Sequence, residues 1–322
     1  MKFPVIFAAF LCFLPSAKAS LTFNATFASS VTAAEETAIN LALSTISAQV
    51  SSPNNITDAL YFTSMSTGLG QSTTSEYTVS YYDYYNALKA VATSPDQLTA
   101  IASLGAAPVN STSGNPVNGN TEVEITSAEG RNLGFNTPGD VMTIYDSEIA
   151  LNFSLTSPPN TLDGSTYGLE AVAMHEIDES LGIGGSGSNL TGTGSLTGAI
   201  GDLDLFRYSA PGVRNYSNTQ TTSPFAYFSI DGGNTVLSYF NQTSGADFGD
   251  WLSNPIPNGF GVQVQDAFGE PGTNPALGVN ELTAFNAIGY QLITAPEPST
   301  FALAGLGLAL GFGFVRRRRR AA

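Results

Sequence analysis

The sequence is nearly without cysteine, which narrows the ways in which the fold can be stabilised. The only cysteine among the 322 residues is Cys12, which lies in an apolar run near the N-terminus. If that run is removed on export, the mature chain has neither a disulfide nor a thiol ligand. Disulfide scaffolds and cysteine-based zinc sites are therefore excluded, and the fold must be held by its hydrophobic core.

Basic residues are also scarce, and most of them lie at the two ends of the chain. Eleven lysines and arginines stand against 26 acids. Between residues 20 and 294 there are only four bases, so the net charge of that region is about −21. These bases are Lys89, Arg131, Arg207 and Arg214. Such a charge repels phosphate backbones, so we exclude nucleic-acid binding, and it attracts divalent cations.

The chain has a single histidine, His175. A zinc site made of histidines alone is therefore impossible, and any protein-derived metal site has one nitrogen ligand and otherwise oxygen ligands. A serine triad would have to use His175, and no G-x-S-x-G elbow or phosphate-cradling loop occurs in the sequence.

The N-terminus has the order of a secretory signal peptide. Lys2 precedes an apolar run from Phe3 to Leu14, and Ala17 and Ala19 provide a small-residue cleavage pattern. We therefore expect residues 1–19 to be removed on export, with cleavage after Ala19. The apolar run is too short to span a membrane.

The C-terminus has three distinct parts. A Pro-Glu-Pro triplet at residues 296–298 precedes an apolar run from Phe301 to Val315, and five arginines follow at 316–320. Together these parts resemble the PEP-CTERM sorting segment of Gram-negative bacteria. The resemblance implies that residues 295–322 form a short sorting helix that enters the inner membrane only transiently, since the run is shorter than a stable span.

The same resemblance implies a partner and a destination. The sorting segment is processed by a peptidase of the exosortase type. We therefore expect an exported protein that ends in the cell envelope or outside the cell. The sorting segment is an address, so it gives no information about the activity of the region that precedes it.

Residues 20–294 are expected to form one domain of the α+β class, because helices and short strands follow one another in mixed order. Helical spacing of apolar residues or a capping pattern predicts four helices, at 31–50, 94–105, 167–181 and 278–292. Alternation or β-forming residues predict strands at 56–63, 76–82, 122–126, 141–145 and 148–154. A hairpin with its turn at Asp231–Asn234 is also predicted.

The helix predicted over 167–181 carries the candidate chemistry. Four apolar residues spaced four apart form one stripe: Leu169, Ala173, Ile177 and Leu181. His175 and Glu179 are also four apart and share a different face, with Glu176 between the two faces. This geometry lets one helix present two side chains to a metal ion and a third carboxylate to a water molecule.

The stretch HEIDESLG resembles the zinc metallopeptidase signature H-E-x-x-H in its extended metzincin form. By that resemblance His175 is the first ligand, Glu176 is the general base and Gly182 is the glycine at which the helix ends. Glu179 and Gly185 stand where the two remaining histidine ligands would be. The departure agrees with the exclusion of an all-histidine centre, and it argues against full catalytic activity.

Segments beyond the helix extend the resemblance. The order of LDLFRYSAPGVRNYS, YFSIDGGNT, GADFGDW and FNAIGYQL is similar to that of metalloprotease-like proteins with PEP-CTERM tails. The likeness covers about residues 140–293. It implies a zincin-like or metzincin-like α+β fold, with a mixed sheet, an active-site helix and a loop-rich C-terminal part that closes a cleft.

The altered signature implies an oxygen-rich metal site. His175 and Glu179 need a further ligand, for which Asp202 and Asp204 are candidates because they alternate with leucines and would point one way from an extended segment. One divalent ion is expected, zinc in the first place, with manganese or calcium as alternatives that oxygen ligands suit. Glu176 would act as general base when water attacks a peptide carbonyl.

Three functions remain open from the sequence. The first is an exported metal-dependent peptidase that acts on peptides or proteins. The second is a catalytically inactive zincin-like protein that binds or supports the cell envelope or an extracellular polysaccharide matrix, which the missing histidines favour. The third is a calcium-binding adhesin, for which Asp231, Asp247 and Asp250 lie in acidic turns, although hairpins use such residues for backbone reasons as well.

Overall fold

A computed structural model describes residues 19–191, 196–216, 218, 225–253 and 260–293. Helices and several small sheets occur together in these ranges, which confirms the α+β class. Residues 1–18 of the predicted signal peptide and the whole predicted sorting helix at 295–322 lie outside the described residues. None of the helices in these ranges combines the length and the hydropathy of a membrane span.

Four helices of the described ranges lie close to the predicted positions, and two more, the second and the fourth along the chain, have no predicted counterpart. The helices of these ranges are α1 (Ala33–Gln49), α2 (Tyr81–Val91), α3 (Pro95–Ser103), α4 (Ser127–Asn132), α5 (Leu169–Ser180) and α6 (Val279–Ala287). Helix α3 begins with the predicted capping box, in which Ser94 and Gln97 satisfy each other's backbone N–H groups. Two 3₁₀ helices, at Gly184–Gly187 and Asp202–Phe206, follow α5.

The strands within the described residues are short and belong to five sheets. The strands of the first half are β1 (Leu21–Phe27), β2 (Val50–Ser51), β3 (Ile56–Ser64), β4 (Gly70–Thr74), β5 (Glu76–Ser80), β6 (Glu122–Thr126) and β7 (Ser147–Leu151). The others are β8 (Thr156–Ser157), β9 (Tyr167–Gly168), β10 (Ile200–Gly201), β11 (Arg207–Ala210), β12 (Val213–Arg214), β13 (Tyr227–Phe228), β14 (Ser238–Tyr239) and β15 (Gln291–Leu292).

The main sheet has the order β1–β3–β7–β4, with β1, β3 and β7 parallel and β4 antiparallel at one edge. One row of paired residues crosses it: Phe27, Phe62, Ile149 and Ser72. Directly paired residues point to the same face of a sheet. This register therefore places Ser72, and with it Gly70 two residues earlier, on the face that carries the buried apolar side chains.

Helices α1 and α5 pack against each other, and α5 also contacts β4 and β7. The largest hydrophobic cluster joins these elements, with Ile39, Phe62, Ile149 and Ile177 all fully buried. Each such side chain contributes about 1.5–3 kcal/mol when it is withdrawn from water. The sheet and α1 thereby hold α5 in one orientation.

The loop-rich half is anchored to the same core by aromatic residues. Strands β13 and β14 form the predicted hairpin, in which Phe228 pairs with Ser238. The ring of Trp251 lies 5.4 Å from that of Phe228 and 5.2 Å from that of Phe240, and its indole N–H donates to Glu281. These contacts fix the backbone at Asp250, the residue before Trp251.

Four local predictions differ from the structure. The closing helix, predicted over 278–292, ends at Ala287, and Gln291–Leu292 form β15 instead. The strand predicted at 76–82 ends at Ser80, because the Ser80 hydroxyl caps α2 by accepting the N–H of Asp83. The strand predicted at 141–145 is a turn closed by a single bridge between Val141 and Tyr145. The segment expected to be extended around Asp202 and Asp204 is a 3₁₀ helix.

An ion pair joins β3, α4 and the start of β7. Both terminal guanidinium nitrogens of Arg131 donate to the carboxylate of Asp146 at 2.8 Å. The same carboxylate accepts the N–H of Ala59 and the hydroxyl of Ser127. The neighbouring Asp58 is fully buried, and its pKa is raised by burial and by Asp146 and lowered by Arg131.

We predict that Arg131→Met lowers the free energy of unfolding by about 3–5 kcal/mol, because it leaves buried carboxylates without their cation. Urea unfolding followed by circular dichroism measures this change. Lys89→Met, which removes an exposed base from α2, is the matched control and should change stability by about 0.5 kcal/mol or less. Equal effects of the two substitutions would contradict the assignment.

Candidate metal centre

Helix α5 has its apolar stripe in the core and its acidic face toward a cleft. The stripe predicted from the sequence is fully buried: Leu169, Ala173, Ile177 and Leu181. Glu176 and Glu179 on the other side are also buried, each with an exposed fraction of 5%. Carboxylates so far from water require hydrogen bonds, a proton or a cation.

The chain reverses direction immediately after α5. Gly182 has φ +106°, which residues with a Cβ rarely adopt, and a Cβ there would lie 2.8 Å from Oε2 of Glu129. The reversal returns the backbone to the helix, so that the N–H of Gly185 donates to Oε1 of Glu179 at 3.0 Å. Glycine at 182 therefore ends the helix and helps to position a candidate ligand.

Three donor atoms converge at the cleft end of α5. Nε2 of His175 lies 3.8 Å from Oε1 of Glu179 and 3.7 Å from Oδ2 of Asp250. Donor atoms of these residues all lie within 4.8 Å of one another. A tetrahedral ion with bonds of about 2.0–2.2 Å places two ligands about 3.3–3.6 Å apart. Small side-chain movements would therefore let all three residues bind one ion.

Neighbouring groups orient each of the three donors. The carbonyl of Val264 lies 3.0 Å from Nδ1 of His175 and can only accept, so Nδ1 carries a proton and Nε2 is the ring nitrogen that faces the carboxylates. The hydroxyl of Ser72 donates to Glu179 at 2.5 Å, and the amide of Gln265 donates to Asp250 at 3.2 Å. Such supporting hydrogen bonds are typical of ligands that hold a metal.

The side chain of Glu176 extends from α5 to the edge strand β4. A Cβ added at Gly70 of β4 would collide with the Glu176 carboxylate. The strand therefore needs glycine at this position to admit the side chain. This contact fixes Glu176 beside the three donors, on the wall of the cleft, which also includes His175 and Glu179.

The electrostatics of the centre favour a cation. Burial raises the pKa of Glu176, Glu179 and Asp250. Burial lowers the pKa of His175, but Glu176, Glu179, the Val264 carbonyl and Asp247 together raise it, so that this pKa lies above its ordinary value. A cation among these groups would remove the repulsion between the carboxylates and lower their pKa. The donor set of one imidazole and two carboxylates thus fits a divalent ion.

The centre opens into a cleft of about 540 Å³. One wall is formed by the stretch from Gly68 to Ser72, which includes the start of β4, and another by α5. Residues 262–270 of the loop-rich half form the opposite side. The cleft is therefore built between the main sheet and the C-terminal half, with the three donors inside it.

Asp204, one of the two further ligands expected from the sequence, is committed elsewhere. Its carboxylate accepts the hydroxyl of Ser188 at 2.6 Å and the N–H of Asn189 at 3.0 Å, and lies 3.7 Å from the buried guanidinium of Arg207. The expectation assumed an extended segment with Asp202 and Asp204 on one side, and the 3₁₀ helix does not have that alternation.

Asp202, the other expected ligand, contacts Glu129 instead. Both side chains are almost completely buried, and each carboxyl has an oxygen without a hydrogen-bond donor among the described residues. Burial and the neighbouring Asp202 raise the pKa of Glu129, and burial raises the pKa of Asp202. Since two carboxylates repel each other, a proton shared between them is the simplest way to stabilise the pair.

Asp250 is the candidate ligand that sequence reasoning considered only for a calcium-binding turn and did not connect with His175. It lies about 70 residues after Glu179 in the acidic segment GADFGDW, which also matches an ordinary turn. The sequence feature that could have indicated Asp250 is the adjacent Trp251, the only tryptophan of the chain. Its ring is fully buried, so its neighbour is held rigidly where a turn residue would ordinarily be free.

Comparison with known proteins identifies the C-terminal end of the chain. Residues 294–320, which the structure does not describe, match the PEP-CTERM protein-sorting motif. This is a PEP-CTERM-sorted protein. The motif indicates a bacterial protein that is exported, recognised by an exosortase and sorted to the cell envelope or the extracellular space. No curated protein and no solved structure matches the chain.

We predict that Asp250→Asn lowers the affinity for Zn²⁺ by about 100-fold or more, because even substitutions of groups that only support a ligand cost about 10–100-fold. Isothermal titration with Zn²⁺ and Mn²⁺, checked by native mass spectrometry, measures the affinity and the number of ions per chain. Asp202→Asn is the matched control and should bind the ion as the wild type does. If Asp202→Asn lost affinity for Zn²⁺ and Asp250→Asn did not, Asp202 would be the ligand, as expected from the sequence.

We also predict that Glu129→Gln becomes more stabilising as the pH rises. The pKa of Glu129 is raised in the folded state, so the stability that this carboxyl contributes at low pH is lost as the pH increases toward that pKa. Glutamine does not titrate and keeps an N–H donor for Asp202. The difference in unfolding free energy should grow by about 1.4 kcal/mol per unit of raised pKa. Urea titrations at pH 5 and pH 8 measure it, and a constant difference would refute a buried acid pair.

Proposed function

We propose that this exported protein is a metal-dependent hydrolase of peptide bonds. In this proposal His175, Glu179 and Asp250 hold one divalent ion and Glu176 is the general base. The observation that carries the proposal is the convergence of the three donor atoms, with a fourth carboxylate beside them, inside one cleft. The zincin-like resemblance of HEIDESLG supports the same assignment.

Zinc is the proposed ion, with manganese and calcium as alternatives. The donor set supplies one nitrogen and two carboxylates, and the two carboxylates balance the charge of a divalent ion. A bound ion of this kind acts as a Lewis acid on a carbonyl oxygen and makes a coordinated water more acidic. Because the two carboxylates cancel the charge of the ion, a water on it would be a weaker acid than in a site of three imidazoles. A general base would therefore be needed more.

Glu176 is the residue placed to be that base. Gly70 admits its carboxylate to the cleft, and burial raises its pKa. A carboxylate of higher pKa takes a proton from water more readily, and it can then deliver that proton to the amine that leaves when the peptide bond breaks. The N–H of Gly185 and the hydroxyl of Ser72 hold Glu179, the neighbouring carboxylate, away from this task.

The edge strand β4 supports a peptide as the substrate. It pairs only with β7 among the described strands, and the stretch Gly68–Ser72 lines the cleft. An extended peptide can add to such an edge through backbone hydrogen bonds. The zincin-like resemblance implies a mixed sheet, an active-site helix and a loop-rich half, and the α+β structure is compatible with this expectation. Export through the sorting motif would bring such a hydrolase to peptides and proteins in the cell envelope or outside the cell.

We predict that Glu176→Gln keeps the bound ion but lowers kcat/KM for peptide cleavage by about 100-fold or more, because a general base contributes about 10²–10⁴-fold. The assay uses quenched fluorescent peptides and the zinc-loaded protein, with metal content measured in the same samples. Glu36→Gln on α1 makes the same chemical change outside the cleft and should retain activity.

Two results would contradict the proposal. Equal cleavage by the wild type and Glu176→Gln would show that the peptidase activity does not use this centre. Zinc binding without cleavage of any peptide in a diverse library would favour the inactive envelope or matrix protein that retains the site for binding.

A further inference from the structure

We infer that Arg207 is a positioning residue of the proposed metal centre, where it holds the ligand Asp250 in place. The inference rests on the proposed function, since it concerns how one ligand of the proposed ion is oriented. Arg207 is not part of the cleft wall. It acts through the groups that it contacts on both sides of Asp250.

The guanidinium of Arg207 is a buried cation in a region that has few cations. It is one of four bases between residues 20 and 294, and its side chain is fully buried. Burial lowers the pKa of Arg207 to about 10, and the carboxylate of Asp204, 3.7 Å from Nε, partly offsets this effect. Because the guanidinium is withdrawn from solvent, its contacts with protein groups are strong and fixed in position.

Arg207 contacts both flanks of Asp250. Its Nη2 donates to the carbonyl of Phe248, which is two residues before Asp250. Its Cζ lies 3.9 Å from the centre of the Phe240 ring. That ring packs against Trp251, the residue after Asp250, with 5.2 Å between the ring centres. The guanidinium therefore restrains the chain on both sides of the proposed ligand.

The carboxylate partner of Arg207 connects it to the chain that leaves α5. Asp204 accepts hydrogen bonds from the hydroxyl of Ser188 and the N–H of Asn189, at 2.6 and 3.0 Å. These two residues follow the 3₁₀ helix that comes shortly after α5. The pair of Asp204 and Arg207 therefore joins the segment after α5 to the segment that leads to Asp250.

Those two segments also lie in direct backbone contact. A Cβ added at Gly249 would collide with the carbonyl oxygen of Gly184, so the segments approach this closely only because residue 249 is glycine. The next residue of each segment serves the centre, since Gly185 donates to Glu179 and Asp250 is itself a proposed ligand. A shift of the segment at Gly249 would thus move one carboxylate ligand relative to the other.

Metal affinity is sensitive to shifts of this kind. Ligands must be held within about 0.5 Å of their productive geometry, and loss of a supporting group costs about 10–100-fold in affinity. The planar guanidinium of Arg207 donates to a carbonyl from its edge while its face lies over a ring. The compact ammonium of a lysine keeps the charge but cannot make both contacts in the same geometry.

The test is a double-mutant cycle with the affinity for Zn²⁺ as its readout. Arg207→Lys should lower that affinity by about 10–100-fold in the wild-type background. In the Asp250→Asn background the same substitution should cost about twofold or less, because the ligand through which it acts is already lost. Titration calorimetry measures the affinities, and urea unfolding of the metal-free proteins records changes in stability separately.

A second readout reports the geometry of the centre. The visible spectrum of bound Co²⁺ depends on the arrangement of its ligands, so it should change in Arg207→Lys. Arg214→Lys is the matched control. Arg214 also lies over a ring, that of Tyr208, and donates to the carbonyl of Leu205, but these partners lie outside the Asp250 segment. This variant should keep the Zn²⁺ affinity and the Co²⁺ spectrum of the wild type.

A further variant decides the matter if Arg207→Lys does not fold. Asp204→Asn combined with Arg207→Met removes both buried charges together, so it leaves no unpaired charge in the core. It also removes the contact with the Phe248 carbonyl. The affinity for Zn²⁺ should therefore fall by about tenfold or more.

The outcomes separate this inference from the proposed function. Wild-type affinity in the Arg207 variants, or an equal loss in both backgrounds of the cycle, would overturn the inference and leave the metal centre intact. A wild-type protein that binds no Zn²⁺ would refute the centre and the inference together. Weaker binding by Arg207→Lys, in a protein that cleaves no peptide, supports the inference and refutes only the peptidase.

Discussion

The contact of His175 with two buried carboxylates joins helix α5 to the loop-rich half of the protein at the cleft. Glu179 comes from the same helix, and Asp250 comes from the loop-rich half. Bringing these acids together in a buried place is unfavourable unless a positive charge accompanies them. In a chain with so few bases, a metal ion is the cation that the donor set fits best.

Elements far apart in the sequence serve this one contact. The edge strand β4 contributes Ser72 to hold Glu179 and Gly70 to admit Glu176. The segment after Trp251 contributes the Val264 carbonyl to His175 and the Gln265 amide to Asp250. The sheet and the aromatic core are thus the scaffold that fixes the donors, which a site made of loops alone could not do with the same precision.

Local rules predicted much of the fold. Apolar spacing and capping residues gave α1, α3 and α5 to within a few residues, because helix ends depend on neighbours along the chain. The strand predicted at 141–145 was wrong, since a strand also needs a partner and only Val141 and Tyr145 pair there. The prediction of an extended segment around Asp202 and Asp204 was also wrong. Alternation of polar and apolar residues occurs both in strands and in short buried helical turns, so it does not distinguish them.

By itself the sequence determined the C-terminal sorting motif, the limit of one nitrogen ligand and the shared face of His175 and Glu179, since these follow from a local motif, from composition and from helical periodicity. Only the tertiary structure decided that Asp250, and neither Asp202 nor Asp204, completes the group. Nothing in local spacing relates residue 250 to α5. Its position follows from the burial of Trp251 in the shared core, which depends on packing across the whole domain.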